Sequence, residues 1–195
     1  MNKLFPRYAG KTLDDFQVTD PSHEVALREV KTYMGAVREA RAAGHGLTFL
    51  GQAGVGKTYL AEMVLKYAQE EGFSIESIAA ATYIDLHYDQ MVYSKHDEDE
   101  EYRTHQHIQR IQSQTDFVLF DDVGREHSGQ SEWSNHILFN ALRFRSDRCL
   151  PFLVTSNLTP TALNERYTEG FLSLLREVTT VLIIEGEDFR CRKDS

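Results

Sequence analysis

The amino-acid sequence predicts an α/β fold, in which a five-stranded parallel sheet lies between two layers of helices. Two observations support this prediction. Short apolar runs typical of buried strands alternate along the chain with longer segments whose apolar residues recur at helical spacing. A glycine-rich loop also joins the first of these strands directly to a helix. Because parallel strands need crossover connections, this alternation favours a three-layer arrangement with helices on both faces of the sheet.

The segment before the first strand predicts one helix that ends near Gly44. Asp20 is suited to cap this helix, because its carboxylate can accept hydrogen bonds from the first amides, and Pro21 fits the first helical position. Apolar side chains then recur at helical spacing, at Ala26, Val30, Met34 and Val37. The apolar run 47–50 follows, and we expect it to form the first strand.

Four later apolar runs predict the remaining strands, at 73–79, 117–120, 152–155 and 180–184. Helical periodicity predicts the helices between them. One follows the glycine-rich loop and runs to about Gly72, and one passes through 83–93. A further helix carries Ile108 and Ile111. Another has apolar residues on one face, at Ile137, Leu138, Ala141 and Leu142.

The length of 195 residues favours one domain with a single substantial core. We assign residues 1–20 to an N-terminal arm and residues 21–195 to the domain. The first residues lack the apolar stretch of a signal peptide, and no segment approaches the roughly 20 apolar residues of a membrane span. We therefore expect a cytoplasmic protein that does not enter a membrane.

The net charge of −9 argues against strong autonomous binding to duplex DNA, because affinity for DNA phosphates usually comes from a basic surface. Much of the negative charge lies in the run HDEDEE at 96–101, which is expected to be a solvated loop. Single-stranded DNA can still be bound by stacking of its bases on exposed aromatic rings. The rings considered for this role are those of Tyr83, Tyr88 and Tyr93, although at this spacing several of them are expected to pack in the interior instead.

The loop after the first strand has the sequence of a phosphate-binding P-loop. A triphosphate is held best by backbone amides that point inward at the N-terminus of a helix, and glycines allow the tight turn around its oxygen atoms. Lys57 is then expected to reach the β- and γ-phosphates of ATP, and the Thr58 hydroxyl to bind Mg²⁺. The residues assigned to the nucleotide site are Gly51, Gln52, Ala53, Gly54, Val55, Gly56, Lys57, Thr58 and Tyr59.

Acidic residues directly follow the buried run 117–120 and form the second half of the predicted site. Asp121 is expected to hold Mg²⁺, and Asp122 to activate the water that attacks the γ-phosphate. Polar residues also end the run 152–155, where Asn157 can orient water because an amide both donates and accepts hydrogen bonds. Together with Lys57, these residues predict an ATP hydrolase.

Several segments together resemble the AAA+ ATPases of the bacterial replicative-helicase loader group, the DnaC-like proteins, with the IstB-like transposition ATPases as close kin. The segments are RYAGKTLDDF at 7–16, GKTYLA at 56–61, FDDVGRE at 120–126 and PFLVTSNL at 151–158. The resemblance covers most of the chain. It implies a sheet order of 5-1-4-3-2, ATP bound between the subunits of a homo-oligomer, and a replicative helicase or a transposase as the client. A helicase loader in DNA replication, which also engages single-stranded DNA, is the preferred interpretation.

The sequence departs from this family in two places. Family members usually carry a separate N-terminal domain that grips the helicase, whereas the ATPase-like segment begins here within about the first ten residues. The family also usually has two arginines, the second of which reaches a neighbour's ATP, at positions that are Gly170 and Leu174 in this chain. A trans arginine stabilises the charge that develops on the transferred phosphoryl group. We therefore expect the isolated protein to bind ATP well but to hydrolyse it slowly.

Two other arginines are candidates for contacts with the γ-phosphate. Arg176 is a displaced candidate for the arginine that acts in trans. Arg190 follows Asp188 and Phe189 in a segment that resembles one late in these ATPases, and it is a candidate sensor of the γ-phosphate in cis. The alternative for Arg190 is a solvated side chain in a basic tail.

Other functions remain open at this point. The protein can be an ATPase subunit that assists a transposase, or a scaffold that keeps the fold without hydrolysis, which the two missing arginines favour. A small GTPase would match the Asp-x-x-Gly pattern at 121–124, but the chain has no Asn-Lys-x-Asp motif to read guanine. A nucleotide kinase would need an arginine-rich lid, which the chain does not offer.

Overall fold

Five parallel strands form one sheet at the centre of the protein. The computed structural model describes residues 5–8, 10–93, 98–125, 131–167 and 169–189. The strands are β1 (Gly46–Leu50), β2 (Ile75–Ala79), β3 (Phe117–Val123), β4 (Phe152–Ser156) and β5 (Thr179–Ile183). Their order across the sheet is β2-β3-β4-β1-β5, and every neighbouring pair is parallel. The predicted order 5-1-4-3-2 is confirmed, because it describes the same sheet from its other edge.

Helices cover both faces of this sheet. They are α1 (Pro21–Gly35), α2 (Val37–Ala43), α3 (Lys57–Glu70), α4 (Ala80–Tyr93), α5 (Glu98–Gln109), α6 (Ser131–Ser146), α7 (Pro160–Arg166) and α8 (Glu169–Val178). Successive residues of β3 point into two separate cores: Phe117 and Leu119 pack with α1 to α3, whereas Val118 and Phe120 pack with α4, α6, α7 and α8. The three-layer α/β architecture is therefore confirmed. Within the described ranges, no helix combines the length and apolar character needed to cross a membrane.

The single helix predicted to end near Gly44 is in fact two helices, α1 and α2. The prediction of one continuous helix is therefore wrong. The chain leaves the helical conformation at Ala36, where φ is −115° and ψ is 26°. Gly35 ends α1, and glycine is a poor helix former because its backbone loses the most conformational entropy on folding. After the break, α2 buries Val37 and Ala40 in the first core.

The acidic run predicted to be a solvated loop is partly helical. Residues 98–101 form the first turn of α5, and residues 96 and 97 lie outside the described part of the chain. Acidic side chains are favourable at this end of a helix, because they interact with the positive end of its dipole. The other end of α5 is held against the edge strand β2 by the buried Glu76, whose carboxylate lies 3.2 Å from His107 and 3.1 Å from Arg110.

A fully buried arginine, Arg145 of α6, holds the segment before β3 in place. This segment includes a short π-helix at Arg110–Gln114, a geometry that interrupts the regular hydrogen bonding of an α-helix. The Arg145 guanidinium donates to the carbonyl oxygens of Ile111, Thr115, Asp116 and Pro151, at 2.6, 3.0, 2.9 and 2.8 Å. One side chain thus ties α6 to the segments that lead into β3 and β4.

The described part of the N-terminal arm packs along α3. The amide of Phe5 donates to the carboxylate of Glu62 at 3.2 Å, and the ring of Tyr8 packs edge-on against Tyr59, with centroids 5.7 Å apart. The Tyr59 hydroxyl also donates to the carbonyl oxygen of Thr12. The arm therefore covers the face of α3 that carries Tyr59 and Glu62.

The buried carboxyl group of Glu62 links the stability of the protein to pH. Burial raises the pKa of Glu62 to about 7, and the nearby charge of Asp121 acts in the same direction. Hydrogen bonds from Ser77 and from the amide of Phe5, together with the charge of Arg7, oppose this effect. Because an exposed glutamate has a pKa of 4.5, the protonated form of Glu62 is favoured by folding.

We expect the contribution of Glu62 to the free energy of unfolding to fall as the pH rises from 4.5 to about 7, and Glu62→Gln to remove this contribution. Stability from a raised carboxyl pKa is complete below the unfolded-state pKa, is lost up to the folded-state pKa and is constant above it. The difference between the unfolded-state and folded-state pKa values corresponds to a free energy of on the order of 3 kcal/mol. Urea unfolding between pH 4.5 and 8 measures the effect, with Glu70→Gln on the exposed part of α3 as the control. A difference between wild type and Glu62→Gln that is the same at every pH would contradict it.

Candidate nucleotide site

The glycine-rich loop connects the carboxyl end of β1 to the N-terminus of α3. Gly56 is the N-cap of α3, and its φ of 96° lies in the left-handed region that favours glycine. A Cβ atom at this position would lie 2.5 Å from the ring of Phe16, so the close approach of the arm also requires glycine. Since a glycine N-cap brings no side-chain acceptor to the first amides of the helix, this end of α3 is suited to an anion.

The side chain of Lys57 is buried inside this loop. Its Nζ donates to the carbonyl oxygens of Gly51 at 2.8 Å and Gln52 at 2.6 Å, and to Oδ1 of Asn157 at 2.8 Å. An ammonium group has three protons, and these three acceptors match them. The contact with Asn157 joins the loop after β1 to the residue that follows β4, so the structure brings two predicted site residues together.

Thr58 at the start of α3 contacts Asp121 of β3. The Thr58 hydroxyl donates to Oδ1 of Asp121 at 2.8 Å, and the hydroxyl of Thr155 on β4 donates to the same oxygen at 2.6 Å. Burial raises the pKa of Asp121, the hydrogen bonds from Thr155 and Thr58 oppose it, and the charge of Asp122 adds to it. A buried carboxylate beside a hydroxyl offers the hard oxygen ligands that Mg²⁺ prefers, so these two residues fit that ion.

Asp122 has an unusual backbone conformation, with a φ of 56°, at an interruption of the register between β3 and β4. Its amide donates to the Thr155 hydroxyl at 2.9 Å in place of a regular ladder bond. Its carboxylate has two neighbours: Nδ2 of Asn157 lies 3.5 Å from Oδ1, and Nη1 of Arg125 lies 3.2 Å from Oδ2. The bulge therefore places the carboxylate of Asp122 beside Asn157, as the proposed activation of water requires.

The predicted catalytic and metal-binding side chains thus form one connected cluster. It lies at the carboxyl ends of β1, β4 and β3, which are adjacent in the sheet, and ligands of open α/β sheets bind at that edge. Lys57 can neutralise phosphate charge, and Asp122 is a base beside the amide of Asn157. This combination is suited to the transfer of a phosphoryl group to water.

Two predicted site residues, Tyr59 and Arg176, lie apart from this cluster, and a third, Arg190, is not among the residues that the structure describes. The side chain of Tyr59 contacts the arm through its hydroxyl and its ring. Arg176 is exposed on α8, where it lines a groove with residues of α7. Arg190 lies outside the described residues, although the amide of the preceding Phe189 donates to the P-loop carbonyl of Gly54 at 3.1 Å.

The two positions at which the related ATPases have arginines lie on α8. Leu174 is only 2% exposed and packs in the second core, so this position faces the interior of the protein. Gly170 is exposed. An arginine at position 174 would need a different packing of α8 to reach a neighbouring molecule, whereas leucine fits the apolar core around it.

The tyrosines predicted to stack on bases differ in their exposure. Tyr83 is fully buried and packs edge-on against Phe120, with ring centroids 5.3 Å apart, so the prediction for Tyr83 is wrong. Its position on α4 faces the sheet, where the apolar ring contributes to the second core. Tyr88 is 44% exposed and its ring is open to solvent. The side chain of Tyr93 lies outside the described part of the structure.

Sequence reasoning missed the supporting roles of Thr155 and Glu62. Thr155 is fully buried near the end of β4 and bonds to both acidic residues after Phe120, contacts that no local pattern in the sequence indicates. Glu62 follows Thr58 by four residues and therefore lies on the same side of α3. That spacing was the available signal for a carboxyl group near the metal-binding residues.

Comparisons with known protein sequences agree with this geometry. A family model described as "ATPase family associated with various cellular activities (AAA)" matches residues 47–172. The replicative helicase loader DnaI of Bacillus subtilis (strain 168) is 23% identical over 177 residues, which are 90% of this chain and 53% of that protein. The chain therefore spans about half the length of this curated relative.

Solved structures share the fold. The DnaC helicase loader has a TM-score of 0.75 at 21% identity, over 92% of this chain and 99% of that chain. A replication initiator DnaA bound to AMPPCP and single-stranded DNA has a TM-score of 0.69 at 20% identity, over 94% of this chain and 51% of that chain. The resemblance to DnaC-like helicase loaders is confirmed by these matches. Since the matched family model covers more than half of the chain and includes the whole cluster of site residues, the protein belongs to the AAA family of ATPases.

Proposed function

We propose that this protein binds ATP with Mg²⁺ and hydrolyses it. The observation that carries the proposal is the continuous contact from Lys57 through Asn157 to Asp122, which joins the P-loop, β4 and β3. An ammonium group, an amide and a carboxylate at one point are the groups needed to hold a γ-phosphate and the water that attacks it.

Each residue of the cluster has a distinct role in the proposed hydrolysis. Lys57 exchanges its contacts with carbonyl groups for contacts with phosphate oxygens. Thr58 and Asp121 hold Mg²⁺, which when bound supplies positive charge to the phosphate oxygens. Asp122 accepts a proton from water while the water oxygen bonds to the γ-phosphorus and the bond to the β-phosphate oxygen breaks, which releases ADP and phosphate. Asn157 orients the water.

The isolated protein is proposed to turn over slowly, and ATP to lie between copies of a homo-oligomer. An arginine from a neighbour can be worth roughly 10³–10⁵ in kcat, and the positions at which related ATPases carry it are Gly170 and Leu174 here. Arg176 is exposed on α8 beside the groove with α7, so it is the proposed arginine for a neighbouring copy. A rate in the assembled oligomer that is unaffected by Arg176→Ala would contradict this assignment.

We also propose that the protein loads a replicative helicase onto single-stranded DNA. The support is the similarity to the DnaI loader over 90% of the chain, and the fold shared with the DnaC loader and with DnaA bound to single-stranded DNA. The exposed ring of Tyr88 on α4 is suited to stacking on a base. The helicase is proposed to contact the N-terminal arm, a surface of the ATPase domain, or another subunit.

Affinity capture tests the loader proposal. The tagged full chain is incubated with lysate of its source cells, with and without a non-hydrolysable ATP analogue, and the captured proteins are identified by mass. We expect a replicative helicase that is enriched by the analogue and lost with Lys57→Ala, whereas Lys31→Ala on the exposed side of α1 changes nothing. Capture of a transposase would contradict the loader. Helicase capture that is unchanged by Lys57→Ala would favour a scaffold that does not use ATP.

A further inference from the structure

Arg125 forms an ion pair with the proposed catalytic carboxylate. Its Nη1 lies 3.2 Å from Oδ2 of Asp122, in the tight turn after β3 where the amide of Arg125 also donates to the carbonyl oxygen of Asp122 at 3.2 Å. The other carboxylate oxygen, Oδ1, lies 3.5 Å from Nδ2 of Asn157. The guanidinium therefore contacts Oδ2 of Asp122, the carboxylate oxygen that Asn157 does not contact.

This ion pair is easily exchanged for another partner. The side chains of Arg125 and Asp122 are 60% and 36% exposed, and ion pairs between exposed groups contribute little to stability. A phosphate is a stronger partner, because the planar guanidinium makes two parallel charge-assisted hydrogen bonds to its oxygens. Movement of the guanidinium from the carboxylate to a bound phosphate is therefore favourable.

Arg125 also lies where positive charge is needed. The contacts run from Lys57 through Asn157 to Asp122, and the guanidinium of Arg125 is the next group along. Charge that develops on a transferred phosphoryl group is stabilised by an arginine whether a neighbour or the same chain supplies it. An arginine of the same chain can thus act here without a residue at the positions of Gly170 and Leu174.

We propose that Arg125 is a catalytic arginine that acts in cis, leaving Asp122 and binding the γ-phosphate when ATP is present. One movement then has two effects. It frees Oδ2 of Asp122 to accept the proton of the attacking water, and it adds positive charge to the transferred group. Arg125 itself exchanges no proton. This inference rests on the proposed binding and hydrolysis of ATP.

Affinity for a mimic of the γ-phosphate tests this contact without requiring turnover. Calorimetry compares the binding of ADP and Mg²⁺, with and without beryllium fluoride, to the wild-type chain and to Arg125→Ala. We expect Arg125→Ala to lose about tenfold or more of the tightening that beryllium fluoride brings, with ADP affinity changed less than about threefold. Arg125→Lys should recover part of the tightening, since one ammonium replaces a forked donor.

Arg143 offers a matched control for this experiment. It forms the same kind of exposed ion pair with Asp147, at 3.2 Å and with a side chain that is 57% exposed. This pair lies at the end of α6, just before β4 begins, and therefore at the opposite edge of the sheet from the nucleotide site. Arg143→Ala should leave the affinity for both ligands unchanged.

The hydrolysis rate supplies a second readout. Arg125→Ala is expected to lower kcat by roughly 10- to 100-fold and also to raise KM for ATP, because the contact with the γ-phosphate forms in the ground state and strengthens as charge develops in the transition state. Guanidinium ion added at a non-denaturing concentration should restore part of the rate to Arg125→Ala and none to Asp122→Asn. A role of Arg125 in folding alone would not respond to this addition.

Four results would decide against the proposals in distinguishable ways. Unchanged tightening by beryllium fluoride in Arg125→Ala overturns the inference, and so does an increase in kcat, which would show that Arg125 restrains Asp122. A wild-type protein that binds the nucleotides without hydrolysing ATP refutes the proposed turnover, while the calorimetric comparison still decides the contact of Arg125. A wild-type protein that binds no nucleotide refutes both.

Discussion

Replacing Arg145 with methionine is expected to lower the free energy of unfolding by about 4 kcal/mol. The side chain is fully buried, and its guanidinium donates to five carbonyl groups in the segments before β3 and β4, which it joins to α6. Burial lowers the pKa of Arg145 to about 9, and the charge of Arg41 acts in the same direction, so the group is still protonated at neutral pH. Methionine fills a similar space but cannot donate, so these carbonyl groups would lose their partners in the interior.

Urea and thermal unfolding measure this loss, which corresponds to a Tm lower by roughly 10 °C in a domain of this size. Arg148→Met is the matched control. Arg148 lies just after the end of α6, is exposed, and stacks on the ring of Phe144 in the last turn of that helix. It should change stability by less than about 0.5 kcal/mol. Arg145→Lys should fall between the two, since an ammonium has three donors and a guanidinium five. Wild-type stability of Arg145→Met would show that the carbonyl groups find other partners.

Asp122→Asn is expected to lower kcat for ATP hydrolysis by roughly 10²–10⁴ while leaving ATP affinity nearly unchanged. Asparagine keeps the size of the side chain and also tolerates the left-handed conformation, so the φ of 56° at this position is preserved. The change removes the carboxylate that accepts the proton of water and also its ion pair with Arg125, which contributes little because both groups are exposed. Lys57→Ala, in contrast, is expected to lose ATP binding as well, because Lys57 is the buried cation of the P-loop.

Single-turnover hydrolysis of labelled ATP and calorimetric binding separate these two outcomes. Asp147→Asn is the control, because Asp147 is an exposed aspartate in an ion pair at the opposite edge of the sheet. It should leave both binding and hydrolysis unchanged. A wild-type rate for Asp122→Asn would mean that another group activates the water, and the role assigned to Asp122 would be wrong.

Much of the fold could be predicted from local patterns. The alternation of apolar runs and helical segments predicted all five strands, although β3 extends to Val123, beyond the apolar run that ended at Phe120. The break at Ala36 was not predicted, because Ala26, Val30, Met34 and Val37 keep helical spacing across it. The strand order came from the resemblance to known ATPases, since the pattern within a strand does not specify which strands become its neighbours.

The candidate site could be predicted as far as its motifs reach. The motifs identified Lys57, Thr58 and the acidic pair. Phosphate and Mg²⁺ binding require these residue types at fixed positions shortly after the end of a strand. The two hydrogen bonds of Thr155 and the ion pair of Arg125 were not, because they depend on the interrupted register between β3 and β4. A bulge of this kind has no local sequence signal that periodicity alone would show.

The sequence by itself determined which segment can hold phosphates, because a P-loop needs only local residues: glycines for the turn, a lysine for charge and a hydroxyl for Mg²⁺. Only the tertiary structure decided which groups complete it. Lys57 and Asn157 are 100 residues apart along the chain and touch because β4 lies between β1 and β3. The ion pair of Arg125 with Asp122 and the buried bonds of Arg145 arise in the same way, since packing brings ordinary polar residues next to partners that no local pattern records.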